Sequence, residues 1–235
     1  MLEERFNSDF NRTGKLSKHV KFFEFDGLFQ LSSGEKLGGL KLAYETYGEL
    51  NKEKSNAILV CHAISGDSHV AKHEKEDIPG WWDVMVGPGK SIDTSKYFVI
   101  CSNVIGGCNG STGPNSLDPK TGKEFGSSFP VINVEDMVNA QRLLIDHFEI
   151  DKLLCVTGGS MGGFQSIQWS IQFPEKVKSI IPIATSPRLT NQALAFDIVG
   201  RNAIKTDLNF KKGDLSLIHI SEPTRRRGIS YAVFC

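Results

Sequence analysis

The five residues Gly158-Gly159-Ser160-Met161-Gly162 have the types and spacing of a nucleophile elbow, G-x-S-x-G. The chemistry of such a group is acyl transfer: a serine hydroxyl attacks a carbonyl, and a neighbouring backbone amide stabilises the oxyanion that forms. The apolar run Leu153 to Val156 leads in as a buried strand, and a helix-like pattern from Phe164 to Phe173 leads out. A serine on so sharp a strand-to-helix turn is held in a strained backbone conformation. The residues two positions to either side must lack bulk, because strand and helix nearly touch there. Gly158 and Gly162 meet that need. The helix N-terminus lies beneath the hydroxyl and leaves the Met161 amide free to donate to an oxyanion. The bland alternative is a glycine-rich turn that carries a serine by chance; the flanking strand and helix argue against it.

An elbow needs a second amide donor, from the loop after an earlier strand. His62-Ala63-Ile64-Ser65-Gly66 follows the strand-like run Ala57 to Cys61, and its small residues let amides turn inward. Ile64 is therefore the second candidate donor, with a plain turn as the alternative. His62 precedes the nucleophile, whereas the order on such a sheet is serine, then acid, then histidine, so it reads as a structural residue under the loop. Gly89-Lys90-Ser91 fails as a phosphate-binding loop because Val84 stands where the required glycine would be. The stretch from Gly106 to Gly113 contains no lysine and is a weak phosphate candidate. His69 and His73, four apart, could in principle hold a metal. They sit among Lys72, Glu74, Lys75 and Glu76, so the expectation is a solvated surface and no metal site.

The elements that must position these residues follow from hydrophobic periodicity. Val20 to Gln30 is rich in phenylalanine, and Leu40 to Tyr47 alternates, so the two form an antiparallel hairpin punctuated by Gly34 and Gly38-Gly39. Ala57 to Cys61 and Tyr97 to Cys101 are continuous apolar runs, as strands buried on both faces require. Asn133 is an N-cap with Asp136 in the first turn, and Met137, Val138, Leu144, Ile145 and Phe148 mark one helical face. After the elbow, Val177 to Ile183 reads as a further strand. Strands alternating with helices give an α/β fold with a mainly parallel sheet and helices on both faces. Ligands of such sheets sit beyond the carboxyl ends of the strands, where Ser160 falls. The loops Ser68 to Lys96 and Ser102 to Ser128 are long and rich in Trp, Gly and Asn, which suits ordered pocket walls.

Totals exclude several classes. The charge balances, with 27 basic and 27 acidic residues, so no nucleic-acid or membrane partner is implied. No apolar run approaches the ~18 residues of a membrane span. The charged start, Met1 to Arg5, is not a secretory signal. Cys61, Cys101, Cys108, Cys155 and Cys235 are odd in number and show no C-x-x-C, which favours reduced thiols and a cytoplasmic setting.

Five blocks together carry a resemblance: Cys61 to His69; Pro79-Gly80-Trp81-Trp82-Asp83; Gly87-Pro88-Gly89-Lys90; Gly106 to Pro114; and Gly158 to Gly163. In this order they resemble the homoserine O-acyltransferases of methionine biosynthesis, the acetyltransferases above all, which have the α/β-hydrolase fold. The likeness runs from about residue 20 to residue 213. It implies acetyl transfer from acetyl-CoA, a co-substrate rather than a bound cofactor, to the hydroxyl of L-homoserine. The intermediate would be an acyl-enzyme at Ser160, with the amides of Met161 and Ile64 as the oxyanion hole. It also implies a homodimer for the intact family member.

The likeness stops after Lys211-Lys212-Gly213-Asp214. Residues 1–18 read as a lead-in, 19–214 as the N-terminal part of an α/β-hydrolase domain, and Leu215 to Cys235 as a foreign tail. The family's catalytic acid, base and carboxylate-binding residue lie downstream of the matched part. His219, Asp197, Asp207 and Asp214 have no late-strand context to replace them. The competing readings are a succinyl-CoA-dependent acyltransferase, a serine esterase of the same fold, and, for the 235 residues by themselves, an inactive fragment.

Overall fold

A computed structural model describes residues 16–207 and Phe210. The start of the lead-in, Asp214, His219 and the segment 215–235 lie outside the described residues. The main sheet has six strands: β1 (Lys21–Gln30), β2 (Lys36–Tyr47), β3 (Ala57–Cys61), β6 (Phe98–Ser102), β7 (Cys155–Gly159) and β8 (Ile180–Ile183). Two-residue strands β4 (Val86–Gly87) and β5 (Ile92–Asp93) pair separately. The helices are α1 (Val134–His147), α2 (Met161–Gln172) and α3 (Asn191–Thr206).

The sheet order is β1-β2-β6-β3-β7-β8. β1, β2 and β6 pair antiparallel, while β6, β3, β7 and β8 pair parallel, so the expected hairpin and mainly parallel sheet are both present. β3 is buried at every position. Its period of two sends Ala57, Leu59 and Cys61 into one core with Leu144, Ile145 and Trp169. Ile58 and Val60 enter a second core with Val70, Ala71 and Val86.

The second core departs from the expectation of helices on both faces. α1 and α2 contribute to the first core, whereas the second is roofed by the Ser68 to Lys96 segment through Val70, Ala71, Trp82, Met85, Val86 and Ile92. That segment is ordered, as its Trp and Gly content led one to expect, and it packs as a cover on the second core. Trp82 N–H donates to the Val70 carbonyl at 2.9 Å, and a Cβ on Gly80 would stand 2.2 Å from the Ala71 nitrogen. A helix-length pattern is absent there because Pro79-Gly80 and Gly87-Pro88-Gly89 break any 3.6-residue period. α3 has no buried residue, and on β8 Ile181 and Ile183 are exposed.

α1 begins where expected. Asn133 and Asp136 form a reciprocal capping box. The fully buried Asp136 also accepts from Ser32, at 2.7 Å from its amide and 3.2 Å from its hydroxyl, and so ties the hairpin to the helix. Asp136→Ala leaves three donors unpaired and is expected to lower stability by about 2–3 kcal/mol. The check is a urea midpoint that falls at unchanged slope; an unshifted midpoint contradicts the role.

Candidate active site

Ser160 follows the last residue of β7 and precedes the first residue of α2, with φ 54° and ψ −118°. For a residue with a Cβ this left-handed region costs on the order of 1–3 kcal/mol, so the surroundings must impose it. They do so with backbone. Ser160 N–H donates to the Ile183 carbonyl of β8 at 3.0 Å, while the Ser160 carbonyl accepts from Gly163 at 2.9 Å and Phe164 at 3.2 Å. The side chain is exposed and caps no amide of its own helix.

The glycines meet more than each other. A Cβ on Gly162 would lie 2.0 Å from the Cys61 carbonyl oxygen, and one on Gly158 2.3 Å from the same oxygen and 2.8 Å from the Gly162 carbonyl carbon. The end of β3, the end of β7 and the start of α2 therefore converge with no side chain between them. Gly159, facing away, has nothing within 4 Å of its Cβ position.

The loop leaving β3 passes beside this junction. Ala63 to Gly66 is a turn closed by Gly66 N–H to the Ala63 carbonyl at 2.9 Å, with Ile64 as its first central residue. Met161 is the first residue of α2, a position whose N–H has no intrahelical acceptor. Both candidate donors thus sit on backbone that flanks the β3–β7 carboxyl ends. The segment after β3 roofs one face of the sheet and α2 covers the other, and ligands of such sheets bind beyond the strands' carboxyl ends, where both candidate donors lie.

His62 is held as a structural residue. Its Nδ1–H donates to the Ala63 carbonyl at 2.7 Å, and its Nε2 accepts from Val104 N–H at 3.0 Å. Burial pushes its pKa down to about 4, against the smaller opposing effect of the Ala63 carbonyl. Sequence reasoning missed what braces this loop. Gln165, fully buried on α2, donates to the Met161 carbonyl at 3.3 Å and the His62 carbonyl at 3.4 Å. Its Oε1 accepts from Gln141 of α1 at 2.6 Å, and Gln141 accepts from Trp169 Nε1 at 2.8 Å. The available signal was polar residues on the apolar helix faces, Gln141 between Val138 and Leu144 and Gln165 one turn before Trp169.

The other candidates divide. Lys90 pairs with Asp83 within its own loop at 3.5 Å. Asp197 lies on α3 and Asp207 caps its C-terminus, both exposed. Cys61, Cys101 and Cys155 are free and buried, and burial lifts the Cys61 thiol to about 12, which removes it as a nucleophile. His69 and His73 do not lie on a solvated surface. Both turn onto the fully buried Glu45 of β2, His69 Nδ1 at 3.0 Å and His73 Nε2 at 2.7 Å from Oε2. The charged neighbours at 72, 74, 75 and 76 obscured this, because the partner lies 24 and 28 residues earlier on another element. Among the described residues no imidazole or carboxylate hydrogen-bonds Ser160, and no helix is long and apolar enough to cross a membrane.

A strained serine at the carboxyl end of a central parallel strand, with glycine on both sides and a helix beneath, defines a class. Residues 56–213 match the family described as the alpha/beta hydrolase fold, and the chain belongs to that family. Within it, the chain is 56% identical over 196 residues to a homoserine O-acetyltransferase of Methanohalobium evestigatum, a match covering 83% of this chain and 40% of the relative. A homoserine O-acetyltransferase of Bacillus anthracis superimposes with a TM-score of 0.75 at 37% identity, over 84% of this chain and 56% of that one. An acetylester hydrolase from Corynebacterium glutamicum superimposes at 0.73 with 33% identity, over 84% and 53%. The chain thus spans between 40% and 56% of the two acetyltransferases' lengths.

Two outcomes follow from this geometry. Gly162→Ala drives a methyl into the Cys61 carbonyl and is expected to cost several kcal/mol or prevent soluble expression, whereas Gly159→Ala stays within about 1 kcal/mol of the parent. Equal melting temperatures for the two variants contradict the three-backbone junction. For His62, the unfolded ring takes a proton below about pH 6.5, while the folded ring resists until about pH 4. The unfolded state therefore binds more protons in that window, and stability falls as pH drops through it, by up to about 3 kcal/mol. An NMR titration checks the cause: the His62 ring stays neutral down to about pH 5, and an ordinary apparent pKa overturns it.

Proposed function

We propose that the intact protein is a homoserine O-acetyltransferase and that Ser160 carries the acetyl group between the two substrates. The observation that supports this most is the left-handed Ser160 at the β3–β7 carboxyl ends, in a chain 56% identical to a protein of that name. In this scheme Ser160 Oγ attacks the thioester carbonyl of acetyl-CoA. The amides of Met161 and Ile64 stabilise the oxyanion, the C–S bond breaks, and CoA leaves with the proton. The hydroxyl of L-homoserine then attacks the serine ester, and Ser160 recovers its proton as O-acetylhomoserine departs. A base is needed for both proton transfers, and the resemblance assigns it, with its acid partner, to sequence downstream of the matched part. The 235-residue chain alone is accordingly proposed not to turn over.

A hydrolase is the second reading, favoured by the acetylester hydrolase among the structural neighbours. The two differ in whether water or homoserine takes the acetyl group, which depends on how well the site excludes water. Acetyl-CoA without homoserine is expected to leave an acetyl ester on the Ser160 peptide of the intact enzyme. Ser160→Ala should abolish it and lower kcat/KM on the order of 10⁴-fold or more with melting unchanged. Full turnover in the alanine variant removes Ser160 from the mechanism. CoA release that is independent of homoserine favours the hydrolase, and a preference for succinyl-CoA replaces the acetyl donor.

A further inference from the structure

Glu45 is fully buried on strand β2, the second from the edge of the sheet, in register with Cys101 of β6. A carboxylate there needs compensation for lost hydration. Only one of its oxygens receives it: Oε2 accepts from Tyr47 Oη at 2.9 Å and faces His69 Nδ1 at 3.0 Å and His73 Nε2 at 2.7 Å. The other oxygen, Oε1, is buried without a hydrogen-bond partner. The carboxylate oxygen and the two imidazole nitrogens all lie within 4.8 Å of one another.

We propose that Glu45, His69 and His73 form a site for a divalent transition-metal ion of the zinc class. Two imidazoles and one carboxylate are a zinc-type donor set that leaves one coordination position open. Bonds of about 2.0–2.1 Å at a tetrahedral ion separate ligand atoms by roughly 3.3 Å, so the 3.0 and 2.7 Å separations from Glu45 Oε2 open by about 0.3 and 0.6 Å while the two nitrogens stay within the 4.8 Å that spans the cluster. The supporting contacts are those that orient metal ligands. His69 Nε2–H donates to the Ile78 carbonyl at 2.8 Å, which leaves Nδ1 as the lone-pair nitrogen of the neutral ring and aims it at Glu45. His73 is clamped flat between the rings of Tyr47 at 4.3 Å and His19 at 4.1 Å, and its own amide donates to Asp77 Oδ2 at 3.0 Å. Its side chain is 17% exposed, which gives the ion an entry path from solvent. The buried Oε1 gives Glu45 a second oxygen for the ion.

The ion would pin the segment that roofs the second core to the sheet beneath it. His69 and Trp81 are already joined through the Trp81 amide and the His69 carbonyl at 3.2 Å, and Trp81 Nε1 reaches the Asp67 carbonyl at 2.9 Å. A metal at His69 therefore braces the Trp81–Trp82 wall against β2. Its role is structural, and Ser160 chemistry does not pass through it. The competing occupant is a proton: with Nε2–H committed to Ile78, protonation at Nδ1 makes His69 an imidazolium paired with Glu45.

The test is titration of the chelator-stripped 235-residue chain with Zn²⁺ by calorimetry and with Co²⁺ by visible absorption. One equivalent of Zn²⁺ is expected, with a Kd on the order of 1 µM or tighter, and Co²⁺ should give the intense visible bands of a tetrahedral site. His73→Asn removes one ligand and leaves Glu45 with His69 and Tyr47, so the fold is kept. It should weaken binding by about 100-fold or more and abolish the Zn²⁺-dependent rise in melting temperature. Glu45→Gln should do the same where it folds. Binding that survives His73→Asn, or none in the parent at tenfold excess metal, overturns the site and leaves a proton-bridged cluster. Neither readout depends on acyl transfer, so loss of the metal site leaves the proposed reaction standing, and the reverse.

Discussion

Three backbones meet at one carbonyl oxygen, that of Cys61, and the rest of the candidate site depends on that approach. Gly158 and Gly162 would each place a Cβ within 2.3 Å of it. Any side chain there forces β3, β7 and α2 apart. The strained φ of Ser160 is a consequence of the same closure, since β7 must reverse into α2 within one residue while staying paired to β8 through Ile183. The strain, between about 1 and 3 kcal/mol, is offset by burial around it. Trp169 of α2 and Leu59 of β3, both fully buried, share one core.

The two faces of the sheet are covered by unlike materials. α1 and α2 pack on one face. The other carries a folded segment with little regular structure, held by Val70, Ala71, Trp82 and Val86. The segment leaves β3 and the helix leaves β7, from neighbouring strand ends. Buried amides join them: Gln165 touches carbonyls of both the elbow helix and the loop after β3, and Gln141 locks Gln165 to α1 and Trp169. A polar network this deep is stabilising only when fully satisfied, and it fixes the relative position of both candidate oxyanion donors.

The histidines of the roof illustrate how local charge misleads. His69 and His73 lie in a run of lysine and glutamate, which reads as solvent-facing. In space their rings turn inward to a carboxylate on the antiparallel side of the sheet. In the same segment Trp81 and Trp82 stack at 5.6 Å, with Trp82 packed on the second core.

The sequence by itself determined whatever is written in short spacings. Glycine two residues on either side of Ser160, the Asn133–Asp136 cap, the all-apolar β3 and the alternating hairpin are properties of a few consecutive residues, because φ/ψ limits and the periods of helix and strand act locally. The tertiary structure alone decided which carbonyl fills the space the glycines leave, that a segment and not a helix roofs the second face, and that Asp136 also holds Ser32. It likewise brought Gln165 to His62 across 103 residues and His69 to Glu45 across 24. Those contacts join different elements through chain reversals, and the desolvation that makes a buried glutamine or glutamate significant exists only once the elements have packed.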